Sequence, residues 1–275
     1  MTSTALSRIP ASISAPIARP TQQAPGRLLD QVTVDHGPAG LLGRFFLKAN
    51  SAAYARGVSL ALASIEELIE INRANRATWR PLVPLFDPAV GGITPANGLA
   101  ILGRNAAGEV VAAQGARFYD WRESDLATEF TSLRMHYADP RASARADETC
   151  RIFAPSAARI RGRVVFSGAG WYRPDYRGQL LSMILPRISR ALAFTRWNSD
   201  YTISMMADGV VAGGMAKRCG YTEVEDGVEL LNSPMAPRAH GFLVWMPAEQ
   251  LLADLGWFLT DFPAQVDAAV EYRRA

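Results

Sequence analysis

The stretch Trp171-Tyr172-Arg173-Pro174-Asp175-Tyr176-Arg177-Gly178-Gln179-Leu180-Leu181-Ser182 carries most of the chemistry legible in this chain. It joins an apolar run suited to a strand directly to an amphipathic run suited to a helix. At a helix N-terminus the first N–H groups lack intrahelical partners and the dipole presents its positive end, so such a junction is a ready anion site. Arg173 and Arg177 would add charge there, and a phosphate-bearing ligand fits. An ordinary surface turn with two solvated arginines is the plainer alternative.

Acid–base groups are scattered. Asp120, Glu123 and Glu129, His136 and His240 are candidates for a general base or acid, and each alone is equally at home as a surface or core residue. Cys150 and Cys219 are too few and too far apart for a disulfide framework or a zinc site. With no His/Asp constellation beside it, Cys219 reads as a small buried apolar residue rather than a nucleophile. No metal site is expected. The net charge of +3 is carried almost entirely by arginine, since Lys48 and Lys217 are the only lysines. Seven arginines lie between Arg134 and Arg163 and five between Arg173 and Arg196, against four acids in those two segments together. Such a basic middle is a solvated face, or the mark of a partner bearing several phosphates, nucleic acid or a phosphorylated cofactor.

These residues need a scaffold, and 275 residues that are 49% hydrophobic supply enough apolar material for one or two packed domains. No run approaches the roughly 18 to 20 apolar residues of a membrane span, so no membrane partner is expected. With so little cysteine, a reducing, cytoplasmic setting is the simplest expectation. Residues 1 to 27 have no acid and no apolar signal core, and read as a disordered tail or a transit peptide of similar composition. Leu41, Leu42, Phe45, Phe46 and Ala49 predict a helix over Ala39–Tyr54. Val58, Leu60 and Leu62 alternate as in a short strand, and Ser64 with Glu67 forms a capping box for a helix running to about Trp79. A proline-rich loop follows, then a hairpin of Leu99–Leu102 and Val110–Tyr119 about Asn105-Ala106-Ala107-Gly108. Leu126, Phe130, Leu133 and Tyr137 make a helical stripe suited to core packing, and the segment from Asp139 to Ile160 is irregular. Next come a strand over Gly162–Tyr172, a helix bearing Leu180, Leu181, Ile184, Leu185, Ile188 and Leu192, a strand over Tyr201–Met206, and a helix over Val210–Cys219 stopped by Gly220. Strands near Val228–Leu231 and Gly241–Met246, separated by a loop over Asn232–Ala239, precede a closing helix over Ala248–Thr260. Its Leu251, Leu252, Leu255, Trp257 and Phe258 suit either the core or a homodimer interface. Pro186 removes a hydrogen bond inside the expected helix. A kinked helix is expected, because the apolar face runs through the proline; a helix starting at Pro186 would leave no anion site.

The central segment resembles the GNAT acetyltransferase superfamily. The superfamily's first motif is approximately V-x-P-x-Y-R-G-x-G-x-G/A, matched by Pro174, Tyr176, Arg177 and Gly178, with Tyr172 at the valine, Leu180 at the central glycine and Ser182 at the final small residue. Ala212-Gly213-Gly214-Met215-Ala216-Lys217-Arg218-Cys219-Gly220-Tyr221 is similar to its A-x-x-x-Y-E-K-L-G-F, with Ala216 where a tyrosine often protonates the leaving thiolate and Gly209 where asparagine is frequent. The two segments stand in the superfamily's order. The resemblance spans Val58 to Met246 and is interrupted by an apparent insertion at about 122–160.

It implies a single acyl-CoA N-acyltransferase-like domain over 28–275, an α/β fold with a GNAT-like central mixed, mostly antiparallel twisted sheet flanked by helices, and N- and C-terminal helical extensions. The implied reaction is direct transfer of an acetyl or other acyl group from acyl-coenzyme A, with acetyl-CoA as acyl-donor substrate, to a small-molecule or protein amine. By the same resemblance, pantetheine and oxyanion contacts fall on Gly170, Trp171, Tyr172 and Arg173, and pyrophosphate contacts on Arg177, Gly178, Gln179, Leu180, Leu181 and Ser182. With Ala216 lacking a hydroxyl, Tyr176, Tyr201, Ser204 or a water would protonate the thiolate. Loops would choose the acceptor, with Trp79, Phe86 and Trp121 as candidate lining. Two alternatives stay open: a catalytically degenerate GNAT-fold protein that binds a ligand or partner, motivated by Leu180, Ala216 and Gly209, and a nucleic-acid binding module, motivated by the arginines.

Overall fold

A computed structural model describes residues 27–263; apart from Arg27, the tail expected at the N-terminus lies outside the described residues. Eight strands, β1 (Ser59–Ala63), β2 (Gly98–Arg104), β3 (Val110–Trp121), β4 (Thr149–Ile152), β5 (Gly162–Tyr172), β6 (Tyr201–Ala207), β7 (Glu223–Ser233) and β8 (Ala236–Pro247), form one sheet in the order β1-β2-β3-β5-β6-β8-β7-β4. Every neighbouring pair is antiparallel except β5 and β6. The helices are α1 (Leu28–Gln31), α2 (Ala39–Tyr54), α3 (Ile65–Ala74), α4 (Pro88–Gly91), α5 (Leu126–Thr131), α6 (Pro140–Ser143), α7 (Leu181–Trp197), α8 (Asp208–Ala212), α9 (Met215–Cys219) and α10 (Ala248–Asp261).

Strand side chains alternate between faces, so the sheet builds two cores. Leu99 and Ile101 of β2 join the core under α2, α7 and α10, whereas Ala100 and Leu102 join the one under α3 and α5. The N- and C-terminal helices α2 and α10 close the first core together, with Phe45 edge-on to Phe258 at 5.3 Å. The apolar face of α10 is therefore core: Leu251, Leu255 and Phe258 are buried and Trp257 is exposed.

Several elements differ from the sequence expectation for local physical reasons. The Ser64 hydroxyl caps α3 through the Glu67 N–H, but the Glu67 carboxylate pairs with Arg104 and α3 ends at Ala74. The stripe from Leu126 to Tyr137 is core, yet α5 stops at Thr131 and Leu133 takes a left-handed φ of +64°. The irregular segment contains α6 and β4, which pairs with β7 and extends the sheet at that edge. Gly213 and Gly214 divide the helix expected over Val210–Cys219 into α8 and α9. The expected loop over Asn232–Ala239 is a tight turn at Pro234–Met235 joining longer strands.

Pro186 lies inside α7, which begins at Leu181, so the start at Pro186 does not occur. Proline cannot donate to the Ser182 carbonyl four residues back. That carbonyl instead accepts from the Cys219 thiol at 3.5 Å, which ties α9 to the first turn of α7.

Candidate active site

The parallel strands β5 and β6 pair only where Val164–Phe166 meet Tyr201–Ile203. Beyond that point β5 follows β3 to Tyr172 while β6 follows β8 to Ala207, and the two part. A β-bulge accompanies the parting: Ala113 pairs with Trp171 and Gly115 with Gly168, so Gln114 alone opposes Ala169 and Gly170. Ala169 takes a φ of +52°, and the Gln114 amide holds the bulge by donating to the Gly168 carbonyl at 2.8 Å and the Ser167 hydroxyl at 3.2 Å. The β6-facing edge of β5 from Ser167 to Tyr172 is thus left without a strand partner.

The gap is a cleft of 450 Å³ that passes through the sheet. On the α7 face it is lined by Pro186, Met215, Cys219 and Tyr221, and on the opposite face by Trp79, Arg80, Leu82, Val83 and Phe86. Trp79 stacks on Trp171 with ring centroids 5.2 Å apart, and the Trp171 indole N–H donates to the Thr78 hydroxyl at 3.2 Å. No aspartate, glutamate or histidine lines this cleft among the described residues.

The cleft continues past Tyr172, Arg177 and Met215 into a groove of 920 Å³ at the N-terminus of α7. Tyr176, Gly178, Leu181 and Ser182 form one wall, and Gly214, Lys217 and Arg218 the other. Leu180, where the superfamily motif has glycine, adopts a left-handed φ of +59° and ψ of 14°. Its backbone therefore takes the conformation a glycine would, at a cost of about 1 kcal/mol, while its side chain is 8% exposed in the core on the α7 face. The departure from glycine leaves the groove open. No side chain caps this helix end.

Eight of the expected cofactor contacts, Gly170, Trp171, Tyr172, Arg177, Gly178, Leu180, Leu181 and Ser182, line the cleft or the groove. Arg173 and Gln179 do not. The Arg173 guanidinium is held by Asp175 at 2.8 Å and Glu109 at 2.9 Å, and the Gln179 carbonyl accepts from Arg56 at 2.8 Å. Arg177 donates to the carbonyls of Tyr172 at 3.2 Å and Thr78 at 3.4 Å, bridging the end of β5 to the segment that carries Trp79.

The candidate bases fall elsewhere. Trp121 of β3 pairs with Gly162 at the start of β5, so Asp120, Glu123 and Glu129 stand at the end of the sheet away from the cleft, as does Tyr201. Trp121 stacks on Tyr119 there and lines no part of the cleft, whereas Trp79 and Phe86 line it. His240 bridges Asp208 at 2.8 Å and Asp226 at 3.0 Å on the exposed face of β8. The bond to Asp208 raises its pKa, and it lies outside the cleft lining. Tyr176 is in the groove with the Arg173 guanidinium over its ring at 5.2 Å. Ser204, 6% exposed, does line the cleft.

His136 is buried against Phe130 and Cys150, and burial, aided by the charge of Arg117, lowers its pKa to about 4. A histidine folded neutral but protonated when unfolded stabilises the fold above its unfolded pKa, and that contribution is lost as pH falls toward the folded value. Between pH 6.5 and 4 the loss is roughly 3 kcal/mol. Melting temperature should fall more steeply with acid in the native chain than in His136→Gln; equal slopes would contradict this placement.

One polar group went unassigned in the sequence. Tyr221 is 7% exposed and lines the cleft, and its hydroxyl is buried within the influence of Ser167 and Arg190, with no hydrogen bond of good geometry to either. Burial raises its pKa, so the phenol is protonated at neutral pH. Its ring lies on the Arg190 guanidinium at 4.7 Å. Arg190, with Arg187 three residues before it, is fully buried, and both face Asp254 of α10, at 2.8 Å from Arg187 and 3.4 Å from Arg190. Arg187 also donates to the Arg218 carbonyl at 2.7 Å and Arg190 to the Cys219 carbonyl, which fixes the turn that carries Tyr221. Gly220, at a φ of +84°, has no room for a side chain, since a Cβ would stand 2.4 Å from the Asp254 carboxylate.

The arginines of the basic middle divide between core and surface: Arg141, Arg145, Arg151, Arg159, Arg161, Arg177 and Arg196 are exposed, and the others are paired or buried. Arg134 pairs with Glu129, Arg163 with Asp200 and Arg173 with two acids, and Arg187 and Arg190 are core. No described helix is long and apolar enough to cross a membrane.

No protein-family model matches the chain, and no curated protein sequence matches it. Solved structures do. Mutant forms of the spermidine/spermine N-acetyltransferase SpeG from Vibrio cholerae are similar to 72% of this chain over 97% of their own, at 10% identity and a TM-score of 0.42. The spermidine N-acetyltransferase of the same organism in complex with CoA and spermine is similar over 71% of this chain and 98% of its own, at 12% identity and a TM-score of 0.42. A protein from Bacillus halodurans is similar over 74% and 91%, at 11% identity and a TM-score of 0.43.

Proposed function

We propose that this chain is a GNAT-type acyltransferase that moves an acetyl or other acyl group from acyl-coenzyme A to an amine. One observation carries the reading: the only parallel strand pair of the sheet splays at a β-bulge into a cleft that runs through the sheet and continues to the N-terminus of α7. The two motif segments lie on the two walls of that groove, Arg177, Gly178, Leu180, Leu181 and Ser182 on one and Gly214, Met215, Lys217 and Arg218 on the other.

Coenzyme A, when bound, supplies an acyl group already activated as a thioester. The first turn of α7, with Arg177 and Lys217 beside it, holds the pyrophosphate by amide donors, dipole and charge. The unpartnered edge of β5 takes the pantetheine arm, and backbone N–H groups at the Gly168–Gly170 bulge meet the charge that develops on the carbonyl oxygen. The amine nitrogen attacks the carbonyl carbon, the C–S bond breaks, and two protons must move. With no carboxylate or imidazole among the described residues that line the cleft, the amine proton leaves to water. The buried Tyr221 hydroxyl, protonated at neutral pH and lining the cleft, gives its proton to the departing sulfur and is reprotonated from solvent.

Tyr221→Phe removes only the hydroxyl. It should lower kcat about 100-fold and leave the affinity for acetyl-CoA within about twofold, measured by thiol release and titration. An unchanged kcat would remove Tyr221 from the reaction. A binding-only role is favoured by the absence of any acid or histidine among the described residues lining the cleft, and steady thiol release with any amine excludes it.

A further inference from the structure

We infer that the acceptor is a primary amine carried on an apolar aromatic scaffold, with no second cationic group. This rests on the acyl-transfer reading and concerns the mouth of the cleft opposite α7. That wall is built from Trp79, Leu82, Val83 and Phe86, with Trp171 stacked behind Trp79. Phe86 and Phe166, tilted at 58° with centroids 6.1 Å apart, are 0% and 5% exposed and form the packed floor of this mouth, over which Leu82 and Val83 are half-buried; a flat ring laid on such an apolar floor packs at little entropic cost. The cleft volume of 450 Å³ must also admit the acyl end of the donor, which leaves room for a compact ring system.

Charge gives the second half of the inference. A polyamine entering this mouth would leave its extra ammonium groups desolvated without a counter-ion, because no aspartate or glutamate lines the cleft among the described residues. The charged side chains that do line it, Arg80 and Arg177, are exposed and positive, and repel a second cation. A monoamine on a ring buries its apolar part among the aromatics and brings only its amino group, as the free base, to the bulge.

The test compares 2-phenylethylamine and tryptamine with spermidine and putrescine, using the full chain, acetyl-CoA and thiol release, with coenzyme A binding followed separately by calorimetry. The expected result is a kcat/KM for an arylalkylamine at least 100-fold above that for spermidine. Leu82→Glu, which places a carboxylate in the same wall, should narrow that ratio about tenfold. Equal or better turnover of spermidine would overturn the inference. So would coenzyme A binding with no turnover of the aromatic amines, whereas loss of coenzyme A binding itself would overturn the acyl-transfer reading beneath it.

Discussion

Asp254→Ala is expected to lower the melting temperature by about 10 °C. Arg187 and Arg190 are 2% and 0% exposed and share one carboxylate, so its removal leaves two buried guanidinium groups with no counter-charge. Breaking a buried pair by deleting one partner costs about 3 to 5 kcal/mol, and in a chain of this size each kcal/mol moves the melting temperature by roughly 2 to 4 °C. Burial already pulls the Arg187 pKa down despite Asp254, a sign that desolvation outweighs the pairing. The same network holds the Arg218 and Cys219 carbonyls, so the variant should also loosen the turn that presents Tyr221. Thermal melting followed by circular dichroism reads the first effect. A change under 2 °C would mean that water or another group compensates the two arginines.

Ser182→Glu separates ligand binding from folding. Ser182 is the second residue of α7 and lines the groove. A carboxylate in the first turn of a helix is favourable by about 0.3 to 1 kcal/mol, so the fold should melt no lower than the native chain. The same carboxylate opposes a pyrophosphate in the groove. Two like charges 4 Å apart near a protein surface repel by about 4 kcal/mol before screening, and coenzyme A affinity should fall about 100-fold. Unchanged affinity with intact folding would place the ligand elsewhere.

Much of the scaffold was legible because it rests on local patterns. The helix over Ala39–Tyr54 and the strand over Gly162–Tyr172 match the structure at both ends, since each combines a clear period with breakers at its boundaries. The junction from Trp171 to Ser182 was legible for the same reason, and most of its residues line the cleft and groove. What local pattern cannot encode is the disposition of three strands relative to one another. The splay of β5 from β6 and the bulge opposite Gln114 depend on register with β3 and β8, and so does the separation of Glu123 from the cleft. The edge strand β4, at Thr149–Ile152, is too short to announce itself. The pair Gly213-Gly214 is a break visible in the sequence, and it divides the expected helix into α8 and α9.

Two of the arginines in the basic middle are not on its surface. Arg187 and Arg190 counted toward a basic face, although they fall within the apolar stripe of Ile184, Ile188 and Leu192 and are core. A signal was present: Asp254 lies among Leu251, Leu255 and Phe258 on the buried face of α10, and a lone acid on an apolar stripe asks for a buried partner. Tyr221 matched an aromatic position in the motif, but the burial of its hydroxyl arises from packing against residues distant in sequence and has no local signature.

The central claim is that the splayed strands and the N-terminus of α7 together hold an acyl-coenzyme A. Isothermal titration of the full chain with acetyl-CoA, with desulfo-coenzyme A and ATP in parallel, tests it most directly. Micromolar binding of both coenzyme A ligands, with ATP at least tenfold weaker, is the predicted result, because the pantetheine arm along β5 adds contacts that ATP lacks. Binding of ATP as tight as acetyl-CoA, or no heat from any of the three at millimolar ligand, would contradict the account.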